Sequence, residues 1–239
     1  GAALGTSANV DRAADILSLL MLQNGAVMID EAGGQAVFDR VPANLKDRPT
    51  APGEEALTFY ADFANSSKEV YTWAADLPPA LETFASGRTA MMFGYAYHLP
   101  LLQARAPRMN LGIAPVPQIE GNPEVNLANY WLETVPKKSK QQNWAWDFIQ
   151  FAAGQQQAGA YLQAAKRPTA LRALVASQVE DPELGTFAAQ VLTAKTWYRG
   201  LNAAAAESAL REAIAETLAG APIREVLRVA AQKVTQTLR

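Results

Sequence analysis

Apolar residues recur every three or four positions in several stretches of the chain, which is the spacing of a helix with one buried face. The first stretch runs from Val10 to Met21, with Asn9 predicted as its N-cap and Asn24-Gly25 as its end. Further helices are predicted over 52–63, 78–86, 99–104, 143–151 and 155–165. After Thr169 the pattern predicts an almost wholly helical, alanine-rich remainder, whose last helix starts at Pro222.

Short uninterrupted apolar runs lie between these helices and predict buried strands. Two such runs are 89–93, which ends at Gly94, and 111–114, which ends at Pro115. Residues 130–135 are also strand-like, and Gly33-Gly34 predicts a turn between two short strands. Residues 118–124 form a predicted loop. Many helices with few short strands indicate a helix-rich α/β or α+β protein.

Composition narrows the class of protein. The chain has 239 residues and is 49% hydrophobic, which is enough apolar material for a sizeable core. A formal net charge of −2 argues against a nucleic-acid-binding surface. No apolar run approaches the length of a bilayer-spanning helix. Because there is no cysteine, a disulfide framework, a thiol nucleophile and a zinc knuckle are excluded.

Little in the sequence favours catalysis. His98 is the single histidine, so we interpret it as a polar residue at a helix start rather than as a catalytic group or metal ligand. The sequence has neither a glycine-rich phosphate loop nor a Gly-x-Ser-x-Gly nucleophile motif. Acidic pairs such as Glu54-Glu55 fit first helical turns. We therefore expect no enzyme activity, no cofactor and no metal site.

Several aromatic residues lie outside the apolar faces of the predicted helices, at strand ends or in loops. Aromatic faces beside hydrogen-bonding groups are typical of sugar sites, because the C–H face of a pyranose stacks on a ring. The alternative, favoured for any single ring, is that it covers the core beneath a loop. Trp144 and Trp146, which lie within a predicted helix, are interpreted as packing residues. The rings outside the apolar helix faces are Trp73, Tyr95, Tyr97, Tyr130, Trp131, Trp197 and Tyr198.

Five motifs resemble segments of one known family. Residues 84–95, FASGRTAMMFGY, resemble F-x-x-G-K-x-A-M-x-x-G, and residues 131–139 resemble G-W-x-L-x-V-P-K-x-S. Residues 111–117 are similar to a strand-and-proline segment, 144–149 to A-W-x-F-I/L, and 209–227 to a pair of C-terminal helices. In this order the motifs resemble extracellular solute-binding proteins of the carbohydrate ABC-importer class, the maltose-binding-protein-like family 1.

The resemblance implies a type II periplasmic-binding-protein-like fold, in which two lobes close about a hinge. Residues 1–127 and 173–239 would form mainly the C-terminal lobe, and 128–172 would be a return segment of the N-terminal lobe. The main body of that lobe is not in this sequence. The implied function is capture of a sugar or oligosaccharide and its delivery to an ABC permease in the membrane. The implied protein is extracytoplasmic, lipid-anchored through a preceding segment, and monomeric when full length, with no cofactor.

The resemblance also implies ligand-binding residues. Tyr95 falls where the family often has a ring after the Ala-Met strand and its glycine. Trp131 falls on an aromatic of the family motif, although Asn129-Tyr130 stands where the family usually has glycines. Trp73 and the Trp197-Tyr198 pair resemble cleft-side or hinge segments. With Tyr97 and Asn129, these residues form the predicted ligand site.

Two alternatives from other classes stay open: a sensing or docking module without transport, and an enzyme with dispersed carboxylates, such as a glycoside hydrolase. The chain begins Gly1-Ala2-Ala3, without an initiator methionine or a signal sequence, which we interpret as a cut through a longer protein. That interpretation predicts an exposed apolar surface around Trp144, Phe148 and Phe151.

Overall fold

The computed structural model describes residues 1–238 and shows helices joined by loops and very short strands. Single 3₁₀ turns lie at Ala43–Leu45 and Val191–Thr193. The strands are β1 (Ala2–Ala3), β2 (Met91–Met92), β3 (Asn126–Leu127) and β4 (Ala194–Lys195). The α-helices are α1 (Ala13–Gln23), α2 (Pro52–Asp62), α3 (Ala80–Ala85), α4 (His98–Arg105), α5 (Gln142–Ala152), α6 (Gln155–Ala165), α7 (Arg172–Val179), α8 (Gly185–Gln190), α9 (Ala203–Leu218) and α10 (Ile223–Gln236).

The strands form two separate parallel pairs between distant parts of the chain. Strand β1 pairs with β2, with Ala2 opposite Met91, and β3 pairs with β4, with Asn126 opposite Ala194. Because parallel strands point the same way, each pair brings two carboxyl ends to one edge. The loops that leave β1 and β2 therefore start side by side, as do those that leave β3 and β4.

The main hydrophobic core lies among α1, α2, α9 and α10. Helix α10 contributes a stripe at helical spacing, because Leu227 and Val234 are fully buried. Helix α2 lies so close to the loop before it that a Cβ atom at Gly53 would stand 2.1 Å from the carbonyl oxygen of Phe38. Glycine is therefore required at position 53 for this approach.

The predicted helices are confirmed, but several other predicted features are wrong. Helix α1 begins at Ala13, so Asn9 is not its N-cap. Only Met91–Met92 of the predicted strand 89–93 is a strand, and Met91 is exposed. Residues 111–114 and 130–135 are not strands, since neither segment pairs with another strand within residues 1–238. An apolar run becomes a strand only where a hydrogen-bonding partner lies alongside it.

The segment 128–172 exposes much of its apolar surface. Trp144, Phe148 and Phe151 follow one another at helical spacing on α5, with exposures between 61% and 75%. The prediction of an exposed surface at these residues is confirmed. The prediction that Trp144 and Trp146 pack in the interior is wrong for the described part of the chain, where both side chains are exposed. No residue of α5 or α6 is fully buried.

None of the helices within residues 1–238 combines the length and the apolar composition that crossing a bilayer requires.

Candidate functional site

The carboxyl ends of β1 and β2 define one edge of their small sheet. The chain leaves β1 into the loop that precedes α1, and it leaves β2 through Phe93 and Gly94 to Tyr95. In open α/β sheets, ligands bind in the crevice beyond the carboxyl ends of the strands. The loops 4–12 and 93–97 therefore occupy the expected place for a ligand site.

Two predicted site residues, Tyr95 and Tyr97, meet at this edge. Their ring centroids are 5.7 Å apart and their planes differ by 24°, which is a stacked arrangement. The ring of Tyr97 also lies 4.2 Å from that of His98, with the planes tilted by 34°. Both tyrosines are half-buried, so each keeps an accessible portion. We call Tyr95 and Tyr97 the tyrosine pair.

Asp15 fixes the hydroxyl end of Tyr95. The Tyr95 hydroxyl donates to Asp15 Oδ2 over 2.7 Å, and the same oxygen lies 2.7 Å from Arg12 Nη2 and 2.9 Å from Arg12 Nε. Burial, together with the adjacent Asp15 charge, raises the pKa of Tyr95 far above its usual range. Tyr95 therefore stays protonated and remains the donor, and its ring rather than its hydroxyl is left for a ligand.

Arg12 joins this arrangement from an unusual backbone conformation. Its φ of 58° and ψ of 30° lie in the left-handed region, which non-glycine residues rarely occupy. Arg12 Nη1 also lies 3.7 Å from Glu207 Oε2, which links the loop before α1 to α9. Burial alone would lower the pKa of Arg12, but the hydrogen bond and charge of Asp15 raise it. A strained backbone held by side-chain contacts is typical of functional sites.

The sequence analysis missed Arg12, Asp15 and Glu207. Asp15 lies in the first turn of α1, where acidic residues are common in any helix, and β1 was not predicted at all. Two signals pointed to this loop: small residues at the start of the chain, and the polar residues Asn9, Asp11 and Arg12 directly before a helix. Neither signal indicates that the loop lies against Tyr95, because the pairing of β1 with β2 is a tertiary contact.

His98 lies beneath the tyrosine pair as the first residue of α4 and is 5% exposed. The backbone N–H of Tyr95 donates to His98 Nδ1 over 3.0 Å, so Nδ1 carries a lone pair and Nε2 carries the hydrogen. Burial lowers the pKa of His98 below its ordinary value of 6.5. The predicted position at a helix start is confirmed, and the structure adds a contact to the neighbouring site residue.

We expect the free energy of unfolding to fall with acid because of His98. The unfolded chain takes up the proton at the ordinary pKa of 6.5, whereas the folded chain takes it up only at lower pH. The contribution of His98 is therefore present above pH 6.5 and is lost as the pH falls towards the folded pKa. Urea unfolding between about pH 5 and 7.5 should show a smaller pH slope in His98→Asn, by up to about 1.4 kcal/mol per pH unit. Equal slopes in the two proteins would contradict this expectation.

The second parallel pair brings together two other predicted site segments. Beyond β3, the N–H of Ala128 donates to the carbonyl of Lys195 over 2.9 Å, so the pairing with β4 continues one residue past the end of β3. Continuing the register by two residues sets position 129 beside position 197. Asn129 and Trp197, which are distant in sequence, therefore leave this strand pair at the same edge.

The remaining predicted residues differ in what they can offer a ligand. Trp197 is half-buried and meets Phe38 edge-on at 6.4 Å. Tyr198 donates to Thr237 Oγ1 over 2.8 Å and accepts from the Asn202 N–H over 2.9 Å, so its hydroxyl supports the start of α9. Trp131 is 96% exposed, and its ring is free on both faces. The structure does not bring Trp131 to the tyrosine pair through any contact among residues 1–238.

Trp73 is not available for stacking, which corrects its prediction as a ligand-binding residue. Its side chain is 1% exposed and belongs to the core, where the indole Nε1 donates to Asn9 Oδ1 over 2.9 Å. The loop holding Trp73 folds back onto the end of α2, because its backbone N–H donates to the carbonyl of Phe63. A ring buried in this way supports the loop after β1 but contacts no solvent.

No group of three or more histidine, cysteine, aspartate or glutamate side chains within residues 1–238 is arranged to hold a metal ion. The charges around the tyrosine pair instead form the contacts already described, in which Asp15 and Glu207 flank Arg12. These groups can orient aromatic rings and accept hydrogen bonds from hydroxyl groups.

The chain matches the sequence profile of the bacterial extracellular solute-binding proteins over residues 8–186. The structure is similar to an ABC transporter solute-binding protein from Thermotoga lettingae TMO bound with α-D-tagatose, at 17% identity and a TM-score of 0.64 over 100% of this chain and 59% of that one. It is also similar to a cyclo/maltodextrin-binding protein complexed with maltotetraose, at 17% identity and a TM-score of 0.69 over 97% of this chain and 59% of the other. No curated protein sequence matches significantly.

These likenesses define the class of protein as a helix-rich, periplasmic-binding-protein-like fold, as predicted. The chain belongs to the bacterial extracellular solute-binding protein family, because the match covers most of its length. It spans 59% of the length of the two solved structures. The family and these structures are binding proteins rather than enzymes, and the extracellular family places the protein outside the cytoplasm.

Proposed function

We propose that this chain is part of the substrate-binding component of an ABC importer, which captures a sugar or oligosaccharide and delivers it to a membrane permease. The observation that carries the proposal is the tyrosine pair at the carboxyl ends of β1 and β2, beside the Arg12–Asp15 contact. Support comes from the family match and from two similar structures that hold a tagatose and a maltotetraose.

The chemistry of the site suits a sugar. The stacked rings of Tyr95 and Tyr97 offer an apolar surface to the C–H face of a pyranose or furanose. Arg12 and Glu207 supply a donor and an acceptor close by, and both side chains are about one-third exposed. A few fixed polar groups beside aromatic rings are the usual composition of a small-molecule site.

A division into lobes is part of the proposal. In it, residues 1–127 and 173–239 form the C-terminal lobe, and 128–172 form a return segment of the N-terminal lobe. The exposed face of α5, with Trp144, Phe148 and Phe151, supports this division, because apolar patches of this kind are normally covered by a partner surface. The partner surface would be the rest of the N-terminal lobe in a full-length, monomeric, lipid-anchored protein.

Ligand capture would follow from closure of the lobes. The chain enters 128–172 next to the β3–β4 pair, where the N–H of Ala128 donates to the carbonyl of Lys195. A short connection of this kind can act as a hinge, because few residues need to change their dihedral angles. A sugar on the tyrosine pair would favour closure only by the contacts that it gains from the second lobe, including Trp131 and Asn129.

The experiment that tests the proposal is direct sugar binding by the full-length protein. A panel of mono- and oligosaccharides is screened by thermal shift, since a ligand that binds the folded state raises its apparent stability. Calorimetry then measures the affinity of the best sugar for Tyr95→Ala and Trp131→Ala. We expect each variant to lose at least about tenfold in affinity, or about 1.4 kcal/mol. Tyr71→Ala, an exposed tyrosine outside the site, is the control and should bind normally.

Two outcomes would contradict different parts of the proposal. Unchanged affinity in both variants would remove Tyr95 and Trp131 from the site. Stabilisation by another class of solute, with no response to any sugar, would leave the solute-binding family in place and overturn the assignment of a carbohydrate ligand.

A further inference from the structure

His98 contacts both tyrosines whose rings are proposed to stack on the ligand. Its Nδ1 accepts the backbone N–H of Tyr95 over 3.0 Å, and its ring lies against that of Tyr97. The backbone at position 94 is equally close, since a Cβ atom at Gly94 would stand 3.3 Å from Nδ1. His98 therefore supports the whole turn from β2 to α4 that presents the tyrosine pair.

Tyr95 is consequently held at two points, its hydroxyl and its backbone N–H. Asp15 accepts its hydroxyl over 2.7 Å, and His98 accepts its backbone N–H. The carboxylate is fixed from the other side by Arg12. A ring anchored at one end can still swing, whereas two anchors fix the direction of its long axis, and stacking on Tyr97 fixes the plane that it offers to a ligand.

We propose that His98 is a positioning residue for ligand binding, which sets the plane of the tyrosine pair only while its Nδ1 is unprotonated. The proposal rests on the proposed sugar-binding function of the same pair. Protonation turns Nδ1 from an acceptor into a donor, so that two hydrogens, one on Nδ1 and one on the Tyr95 nitrogen, then face each other. The hydrogen bond from the Tyr95 N–H is then lost, and Nδ1 can donate instead to the carbonyl of Tyr95, which lies 3.3 Å away, so the turn has to shift relative to His98.

The charged neighbours of His98 are few. Asp11 and Arg12 act on it from the loop before α1, with the negative charge favouring the protonated form and the positive charge opposing it. From its own turn, the groups against it are Tyr95 and Tyr97, which stay neutral because burial raises the pKa of both hydroxyls. No carboxylate within residues 1–238 makes a hydrogen bond or ion pair with the imidazole. Burial therefore has the largest effect on the pKa of His98 and lowers it, so the imidazole is neutral, with Nδ1 as an acceptor, at neutral pH.

The direction in which sugar affinity depends on pH follows from the protonation state of His98. Sugar affinity should be constant above pH 6.5, where His98 is neutral, and should fall as the pH is lowered through the depressed pKa of the folded protein. Loss of one positioning hydrogen bond is expected to weaken binding about fivefold. A residue that only stabilised the fold would change stability with pH but not the affinity of the folded protein.

The test uses two substitutions with opposite expectations. His98→Asn keeps an oxygen acceptor near the place of Nδ1 but cannot be protonated, so its sugar affinity should match the wild type at pH 7.5 and stay level down to about pH 5. His98→Ala removes the acceptor and should bind about fivefold more weakly at every pH. Maltotetraose and D-tagatose are the probes, measured by calorimetry on the full-length protein. Carboxylates titrate equally in all three proteins, so the comparison isolates His98.

A ligand-free measurement separates this proposal from the sugar assignment. The Tyr95 amide and ring resonances are followed by NMR from pH 7.5 to about 5, and we expect them to shift with the single histidine in the wild type but not in His98→Asn. If neither sugar binds, the sugar assignment fails and these resonances still decide the role of His98. Resonances or affinities that titrate equally in the wild type and His98→Asn would overturn the proposal.

Discussion

Asn9→Ala is expected to lower the free energy of unfolding by about 3 kcal/mol or more, because its side chain satisfies several buried partners at once. Its Oδ1 accepts from Trp73 Nε1 over 2.9 Å and from the Thr6 hydroxyl. Its Nδ2 donates to the carbonyls of Ala74 and Leu77, each over 2.8 Å. Removing the amide leaves the buried indole N–H without an acceptor, at about 1–3 kcal/mol for each orphaned group. Urea unfolding measures the loss.

Asn65→Ala is the matched control for this substitution. Asn65 is exposed and its side-chain oxygen accepts hydrogen bonds from Ser67 alone, so the loss on substitution is expected to be below about 1 kcal/mol. Trp73→Phe removes the indole donor, and its combination with Asn9→Ala should cost less than the sum of the single changes. Strict additivity, or a loss as small as that of Asn65→Ala, would show that Asn9 does not hold Trp73 in the core.

Leu210→Ala is expected to destabilise the protein by about 2–5 kcal/mol, the range for a leucine removed from a close-packed core. Leu210 is 2% exposed and lies on α9 in the main core, next to buried Ile214. Its removal leaves a cavity among the helices that form the main hydrophobic core. The free energy of unfolding, measured by denaturant titration, reports the effect.

Leu218→Ala provides the comparison on the same helix. Leu218 is 37% exposed at the end of α9, so the same chemical change should cost less than about 1 kcal/mol. Phe148→Ala, on the exposed face of α5, should likewise have little effect on this chain although a larger side chain is removed. Similar losses at positions 210 and 218 would mean that α9 is not packed as the structure shows.

The site was predictable in part because the residues just before Tyr95 form a recognisable motif. Tyr95 follows an apolar run and a glycine, and the structure places it with Tyr97 at the carboxyl end of β2. Trp73 has an equally suggestive local context but is buried, since Asn9 accepts its indole N–H. A sequence shows that a ring lies in a loop, but whether that ring faces solvent depends on what the loop packs against.

The sequence by itself determined the helices, the absence of cysteine chemistry, and the order of motifs that resembles the solute-binding family. These features depend on neighbours a few positions apart or on composition. Only the tertiary structure decided that β1 pairs with β2, that Arg12 and Asp15 meet Tyr95, and that His98 accepts its N–H. These contacts join segments that are distant along the chain, and no periodic pattern in the sequence indicates which distant segments meet. They form because folding buries the helices of the core, and the loops then meet where the strand ends leave them.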